Sequence, residues 1–395
     1  MKYLVVIIFA AIVTMIFSHS LSASSQILTK RIPEYSPGLY LNTKKMDTAL
    51  IFYQYLAKKG GWTPIPAGPI LKKGDYGERV LALRNRLHLS GDLSANEPVD
   101  QHFDQVLEKA VQRFQYRHGL KADGIVGEDT LQTLNIPAEK LVKQLQLNLA
   151  RMEELIPQLE QRHLLINLPD YRLQLIEKGR LLAEMRVIIG KKSTPTPVLR
   201  SKIFYLVVNP YWKIPTSIVV NEVIPLLDHN PAYLEQQNIK VYDGWGAEAK
   251  EIDPASISWT ELDLNTFNYM LRQEPGPGNQ LGSIKFIFPN QYHVYLHDTP
   301  AQSLFQRKKR ALSAGCIRLE KPFELALSLL TDNPVWTAEH LFATITEEKN
   351  WKVEFKKPIA VYLVYWTAWV NHDDEVHFRD DIYRIDQREL NPAAN

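Results

Sequence analysis

At 395 residues, 45% of them apolar and 23% charged, the chain has an ordinary globular composition and the length for roughly two or three domains. Its 46 Lys and Arg against 44 Asp and Glu leave a formal net charge of +2. That excludes a strongly basic nucleic-acid binder and leaves room for weak attraction to an anionic polymer.

The first 25 residues differ in kind from the rest. Lys2 precedes an apolar run over 3–17, followed by small, mostly polar residues over 18–25. This is the order of a secretory signal, with cleavage near Ala23 one outcome and an uncleaved inner-membrane anchor the other. Either way the chain is expected to be exported, periplasmic or associated with the cell wall. Export changes the meaning of the one cysteine, Cys316. In an oxidising compartment structural cysteines pair, so a single one reads as a reactive thiol or an intermolecular link.

Residues 26–70 hold a short helical pattern over 46–59 between Gly/Pro-rich flanks and read as a scaffold segment. Residues 71–136 predict a three-helix module. Gly74-Asp75-Tyr76-Gly77 turns into a helix carrying Val80, Leu83 and Leu87, and a second amphipathic helix carries Val106, Ala110, Val111 and Phe114. A glycine-rich turn over 119–127 leads into a short third helix with Thr130, Leu131 and Leu134. Pro137 then opens a long helix with Leu141, Leu145, Leu149 and Met152 on one face. Residues 137–163 thus read as a helical linker between the module and the rest of the chain.

From Leu164 the period shortens. Strand-like runs cover 164–168, 171–176, 181–189 and 203–208, with turns at Gly179 and Gly190. Residues 209–282 interrupt them with an insertion, helical over 217–227 and closed by Glu274-Pro275-Gly276-Pro277-Gly278-Asn279. Long insertions in compact domains are commonly lids, and the glycines read as hinges. Strands resume over 285–289 and 292–296. A helix is expected over 323–330 and a closing hairpin over 360–382.

The chemistry concentrates between 291 and 320. His297 ends an alternating run from His293, and Cys316 lies in Ser313-Ala314-Gly315-Cys316-Ile317-Arg318. A thiol needs a base to become a good nucleophile near neutral pH, and imidazole is the usual one. Gly315 permits a tight turn, so that N–H groups near Cys316 can face a developing oxyanion. The plainer alternative is a small buried cysteine beside an unrelated histidine. Between the two lies a basic run, Arg307-Lys308-Lys309-Arg310, read either as a contact for carboxylates or as solvated surface. The chain has no HExxH, CxxC, Walker A or G-x-S-x-G sequence. Zinc on His293, His297, Asp298 and Cys316 is conceivable but fits no usual ligand spacing.

The wording of these segments carries a resemblance. Tyr295-Leu296-His297-Asp298-Thr299-Pro300 with S-x-G-C-x-R resembles the signature of the L,D-transpeptidases, the cysteine transpeptidases of bacterial peptidoglycan with a YkuD-type domain. Ala314 stands where many members have a second histidine. The insertion phrases NPYWKIP and RQEPGPGNQLG are similar to those of the larger, lid-bearing branch. Residues 71–136 resemble the peptidoglycan-binding domain of wall enzymes. The resemblance implies a multidomain α+β protein: a β-rich YkuD-type catalytic domain over 164–395 with a helical lid insertion, preceded by the three-helix module.

It further implies Cys316 as nucleophile and His297 as base, with the Asp298 carbonyl orienting the imidazole and Ser313 and Gly315 shaping the oxyanion loop. Arg318 reads as an anchor for a stem carboxylate or, alternatively, as a structural ion-pair partner. Tyr295 and Trp212 read as substrate contacts or as packing. The implied reaction joins peptidoglycan stem peptides 3→3 through a thioester, taking a tetrapeptide donor and an amine acceptor and releasing D-alanine. Carbapenems would acylate the same thiol, and no metal or organic cofactor is implied. Two other readings stay open on sequence: a carboxypeptidase or endopeptidase using water as acceptor, and a non-catalytic wall-binding protein.

Overall fold

Asn42 is the first residue described in this computed structural model, which covers residues 42–391. The expected signal or anchor lies outside the described residues, as does the start of the scaffold segment. Among the described residues no helix is long and apolar enough to cross a membrane.

Helix α1 (Thr43–Lys58) is capped by the Asn42 side chain, which accepts from the Lys45 N–H. It buries Met46, Ala49, Tyr53 and Leu56, a spacing of three and four that makes one face. In the module, α2 (Glu78–Leu89), α3 (Gln105–Arg117) and α4 (Glu128–Leu134) enclose a small core of Val80, Leu83, Leu87, Phe103, Phe114 and Leu134. Helix α5 (Ala138–Leu155) then turns Leu141, Leu145, Leu149 and Met152 onto α1 and onto the outer face of the main sheet at Leu165, Tyr362 and Trp366. It is packed along its length on the body of the protein.

The module is docked as well. Arg117 of α3 grips Asp92 with Nε and Nη2, both at 2.5 Å, and its Nη1 reaches the Tyr53 hydroxyl and the Val376 carbonyl, each at 3.3 Å. Arg86 stacks on Trp62, 3.5 Å from the ring centre.

The main sheet comprises β1 (Arg162–Asn167), β2 (Arg172–Glu177), β3 (Arg180–Gly190), β4 (Leu199–Val208), β9 (Ile284–Ile287), β10 (Leu296–His297), β11 (Ala311–Ser313), β12 (Ile317–Leu319) and β13 (Trp351–Val364). Its order is β11-β3-β12-β10-β9-β4-β13-β1-β2, and β2 also pairs with β3. Strand β3 therefore serves twice, its first half against β2 and its end against β12 and β11, and eight strands close into a ring. Leu164, Ile166, Val187, Leu206, Phe286, Leu296, Ile317 and Val361 fill the interior, with Leu325, Ala326 and Leu329 of helix α6 (Pro322–Leu329) packed against them. The expected strand over 292–296 shrinks to the two residues of β10, since Tyr292 and His293 lie in a turn. The expected C-terminal hairpin is confined to β14 (Ala368–Val370) and β15 (Val376–Phe378).

The insertion is a sub-fold with its own core, Ile214, Val219, Val223, Leu227, Val241 and Leu271. The helix expected over 217–227 is present as Thr216–Ile218 and Ile224–His229, joined by a π-helical turn over Val219–Val223. The insertion also has a four-stranded antiparallel sheet, β5 (Trp212–Lys213), β8 (Met270–Gln273), β6 (Ile239–Tyr242) and β7 (Glu251–Ile252) in that order, which the short strands hid in the sequence. Gly276 and Gly278, expected as hinges, lie in a segment held by buried amides. Asn279, 2% exposed, donates to the Pro210 and Glu274 carbonyls, and Gln273 donates to the Gly278 carbonyl. The two legs meet where the Asn209 N–H donates to the Ser283 carbonyl at 2.8 Å. Buried amides satisfied on several sides make a clamp.

Candidate active site

Strands β10 and β12 run parallel, with Leu296 beside Ile317 and His297 beside Arg318. On the other flank β9 is antiparallel, with Phe286 beside Leu296 and Lys285 beside His297. Alternation sends Phe286, Leu296 and Ile317 into the core and leaves Lys285, His297 and Arg318 in one row on the opposite face. The Ile317 N–H donates to the Tyr295 carbonyl at 3.1 Å, which continues the register and sets Tyr295 beside Cys316.

His297 is 4% exposed. Its Nδ1 lies 2.5 Å from the Asp298 carbonyl, so Nδ1 carries the proton and Nε2 keeps its lone pair. Burial, and then the Arg318 charge, hold the imidazole down to about 3 against the opposing Asp298 carbonyl, so it is neutral at physiological pH. The Asp298 carboxylate faces elsewhere, accepting from the N–H groups of Ser283 (2.9 Å) and Thr299 (2.7 Å). Gly282 stands against it at φ +60°, where an added Cβ would come within 2.3 Å of the carboxylate. Asp298 thus serves His297 through its backbone alone.

The Cys316 thiol is half-buried, and burial pushes it up from its ordinary value. Opposing that, the nearby Tyr295 N–H and hydroxyl and the Lys285 and Arg318 charges favour the thiolate. The Tyr295 ring lies edge-on to His297 with centroids 5.6 Å apart, and the Lys285 ammonium sits 3.7 Å over its centre. Among the described residues no hydrogen bond joins His297 to Cys316. They share a face one register step apart, an arrangement that tightens in many enzymes only when substrate binds.

The loop carrying Cys316 is fixed by groups absent from the expected site. Thr196 accepts from the Gly190 N–H (2.8 Å) and donates to the Gly315 carbonyl (2.7 Å), while Tyr383 donates to the Gly190 carbonyl (2.5 Å). Gly190 lies so close to this turn that a Cβ would fall 2.1 Å from the Thr194 carbonyl oxygen. Ser313 donates to the Cys316 carbonyl (2.6 Å) and accepts from the Gly315 N–H (3.1 Å). That engages the Gly315 N–H and corrects the expectation that it faces an oxyanion. The Cys316 N–H has no acceptor among the described residues. Gly315 itself is required by its φ of +122°, since an added Cβ would make only ordinary contacts, with the Thr194 carbonyl at 3.8 Å and Val294 at 3.9 Å.

Arg318 makes no ion pair among the described residues, and its Nε is buried without an acceptor. The structural-ion-pair reading therefore falls. Burial lowers its pKa, and the carboxylate acting on it is Glu222 of the insertion. Trp212 packs against the insertion's own core. The basic run is likewise divided: Arg310 turns inward and donates to the Val187, Arg307 and Tyr171 carbonyls, which removes it as a substrate contact. Among the described residues, no three His, Cys, Asp or Glu side chains gather as metal ligands.

Residues 161–336 match the family model described as "L,D-transpeptidase catalytic domain", of the YkuD type. Residues 76–134 match "Putative peptidoglycan binding domain". A Haemophilus influenzae protein named "Putative L,D-transpeptidase" is 34% identical over 316 residues, covering 78% of this chain and 63% of that protein, so the chain spans less than two thirds of that relative's length. Solved structures that align include the L,D-transpeptidase of Xylanimonas cellulosilytica (16% identity, 76% of this chain and 99% of that one, TM-score 0.23). The L,D-transpeptidase of Mycobacterium smegmatis aligns at 14% identity over 51% of this chain and 58% of its own, with a TM-score of 0.23. The chain thus carries, over 161–336, a domain of the YkuD L,D-transpeptidase type and, ahead of it over 76–134, a segment matching a peptidoglycan-binding domain.

Proposed function

We propose that the protein is a cysteine L,D-transpeptidase that forms 3→3 cross-links between peptidoglycan stem peptides outside the cytoplasm. The observation that carries this is the neutral His297, its Nδ1 tied to Asp298 and its Nε2 unprotonated, on the same sheet face as the Cys316 thiol. In the first step His297 Nε2 takes the thiol proton as sulfur attacks the carbonyl of the diamino acid in a tetrapeptide donor. The C–N bond to D-alanine breaks, the proton passes from His297 to the departing amine, and a thioester remains. In the second step an amine of another stem gives its proton to His297 and attacks the thioester, and the thiolate leaves and regains that proton.

The oxyanion of each tetrahedral intermediate is served by the unengaged Cys316 N–H. Arg318 anchors a stem carboxylate, the module over 71–136 holds the wall polymer, and the insertion shields the thioester from water. Intact-mass analysis after incubation with a carbapenem, alongside chromatography of products from a tetrapeptide, tests the reading. An adduct on Cys316 and a cross-linked dimer are expected. An adduct with tripeptide as the sole product would establish water as the acceptor. Absence of both adduct and product would leave a wall-binding protein.

A further inference from the structure

Lys285 and Arg318 flank His297 on adjacent strands of one sheet face, and among the described residues neither makes an ion pair. Lys285 is half-buried, and among the described residues its ammonium makes no hydrogen bond or ion pair; its neighbour is the Tyr295 ring face. Arg318 has its Nε buried with no acceptor, and Glu222 acts on it only from the insertion, without an ion pair. Cations removed from water are ordinarily paired. Elsewhere among the described residues such cations are satisfied by carboxylates or by backbone carbonyls: Arg117 has Asp92, Arg151 has Asp386 and Arg379 has Asp170, while Arg86 donates to the Leu134 carbonyl and Arg310 to those of Val187, Arg307 and Tyr171. The two positions beside the imidazole depart from this pattern.

Both cations also favour the thiolate of Cys316, so both lie within electrostatic reach of the reacting sulfur. Two strand spacings separate their backbones, about 10 Å. One carboxylate cannot neutralise both ends of such a row.

We infer that Lys285 and Arg318 form a two-pronged seat for a donor with two carboxylates, Lys285 being the specificity residue for the one that Arg318 does not hold. In a stem tetrapeptide these are the chain terminus and a free carboxylate on the diamino acid's side chain. Donors whose second carboxylate is amidated, or whose diamino acid lacks one, would then be discriminated against. The inference rests on the proposed transpeptidase reading for the identity of the donor.

The test reads binding, which is independent of what the bound donor becomes. Calorimetry on the Cys316→Ala protein would compare a tetrapeptide with both carboxylates free, one amidated at its terminus and one amidated on the side chain. Each amidation is expected to weaken binding about ten- to a hundredfold. Adding Lys285→Met should erase one of the two penalties and Arg318→Met the other, while Lys285→Arg keeps both; Lys285→Gln serves if Met disturbs the fold. Persistence of both penalties in Lys285→Met and Lys285→Gln, or equal affinity of the wild-type seat for free and amidated donors, overturns the inference. Cross-linked dimer formed by the native protein, measured in parallel, reports separately on the transpeptidase reading.

Discussion

The Nδ1 atom of His297 donates to the carbonyl of Asp298, its own neighbour in the chain, at 2.5 Å. The imidazole tautomer is thus set within one dipeptide, with no carboxylate spent on it. The electrostatics reflect that economy: an imidazole with cations beside it and no anion bonded to it stays neutral, and the thiol beside it is not drawn into a strong ion pair.

The first prediction is a pH profile. Because His297 is held down to about 3 and burial raises Cys316, alkylation by iodoacetamide should climb through a single ascending limb set by the thiol. No inflection from the imidazole is expected between about pH 5 and 8, the range an ordinary histidine would mark. Cys316→Ser and His297→Ala should each abolish transpeptidation with an unchanged circular dichroism spectrum. Turnover near wild type in Cys316→Ser would refute the nucleophile.

A second prediction concerns Thr196, which ties the turn after Gly190 to the carbonyl of Gly315. Thr196→Val preserves shape but leaves a buried N–H and C=O unpaired, a cost of about 1–3 kcal/mol each at most. Thermal unfolding should shift down by several degrees. Acylation by a carbapenem should slow about tenfold or more, since the thiol's position depends on that loop. An unchanged acylation rate would show that the Ser313 bonds alone suffice.

The third prediction addresses the insertion. With its legs clamped by Asn209 and Asn279, it should act as a fixed wall rather than a swinging flap. Replacing residues 216–268 by a short loop while keeping both legs should raise the ratio of tripeptide to cross-linked dimer, with acylation falling less. Chromatography of both products from one tetrapeptide measures this. A parallel fall of both products would assign the insertion to packing.

Arg117 supplies the fourth. Its bidentate hold on Asp92, with both groups buried, means that Arg117→Met strands a buried carboxylate. A loss of about 3–5 kcal/mol in unfolding free energy is expected. Asp92→Asn combined with Arg117→Met should recover part of it, and denaturant titration reads both. Recovery of nothing would place the cost in the contacts to Tyr53 and Val376 instead.

What could be read from the sequence was what has a local cause. The helices of the module, the strand period after Leu164 and the His297–Cys316 segment each announce themselves in spacing or wording, and the fold agrees with them closely. Lys285 could not be found that way, because it sits in a plain strand, and only the pairing of β9 with β10 brings it beside His297. Thr196 and Tyr383 are separated by most of the catalytic domain, and their joint hold on Gly190 is a tertiary fact. The sheet of the insertion has two strands of two residues each, too short for any alternation to show. Arg310 looked like surface because it lies in a charge run, and three backbone carbonyls turn it inward.

The closed ring also decides when the protein can fold. Strand β1 lies parallel to β13, so His163 must find Ala360, and Tyr362 and Val364 of that same late strand complete the surface on which α1 and α5 rest. The first described helix therefore has no finished partner until almost the last strand arrives. Contacts so distant in sequence close large loops before any burial rewards them, which makes folding slow. The body should refold in one cooperative late step, and a chain cut short before β13 should leave its N-terminal helices exposed and prone to aggregate.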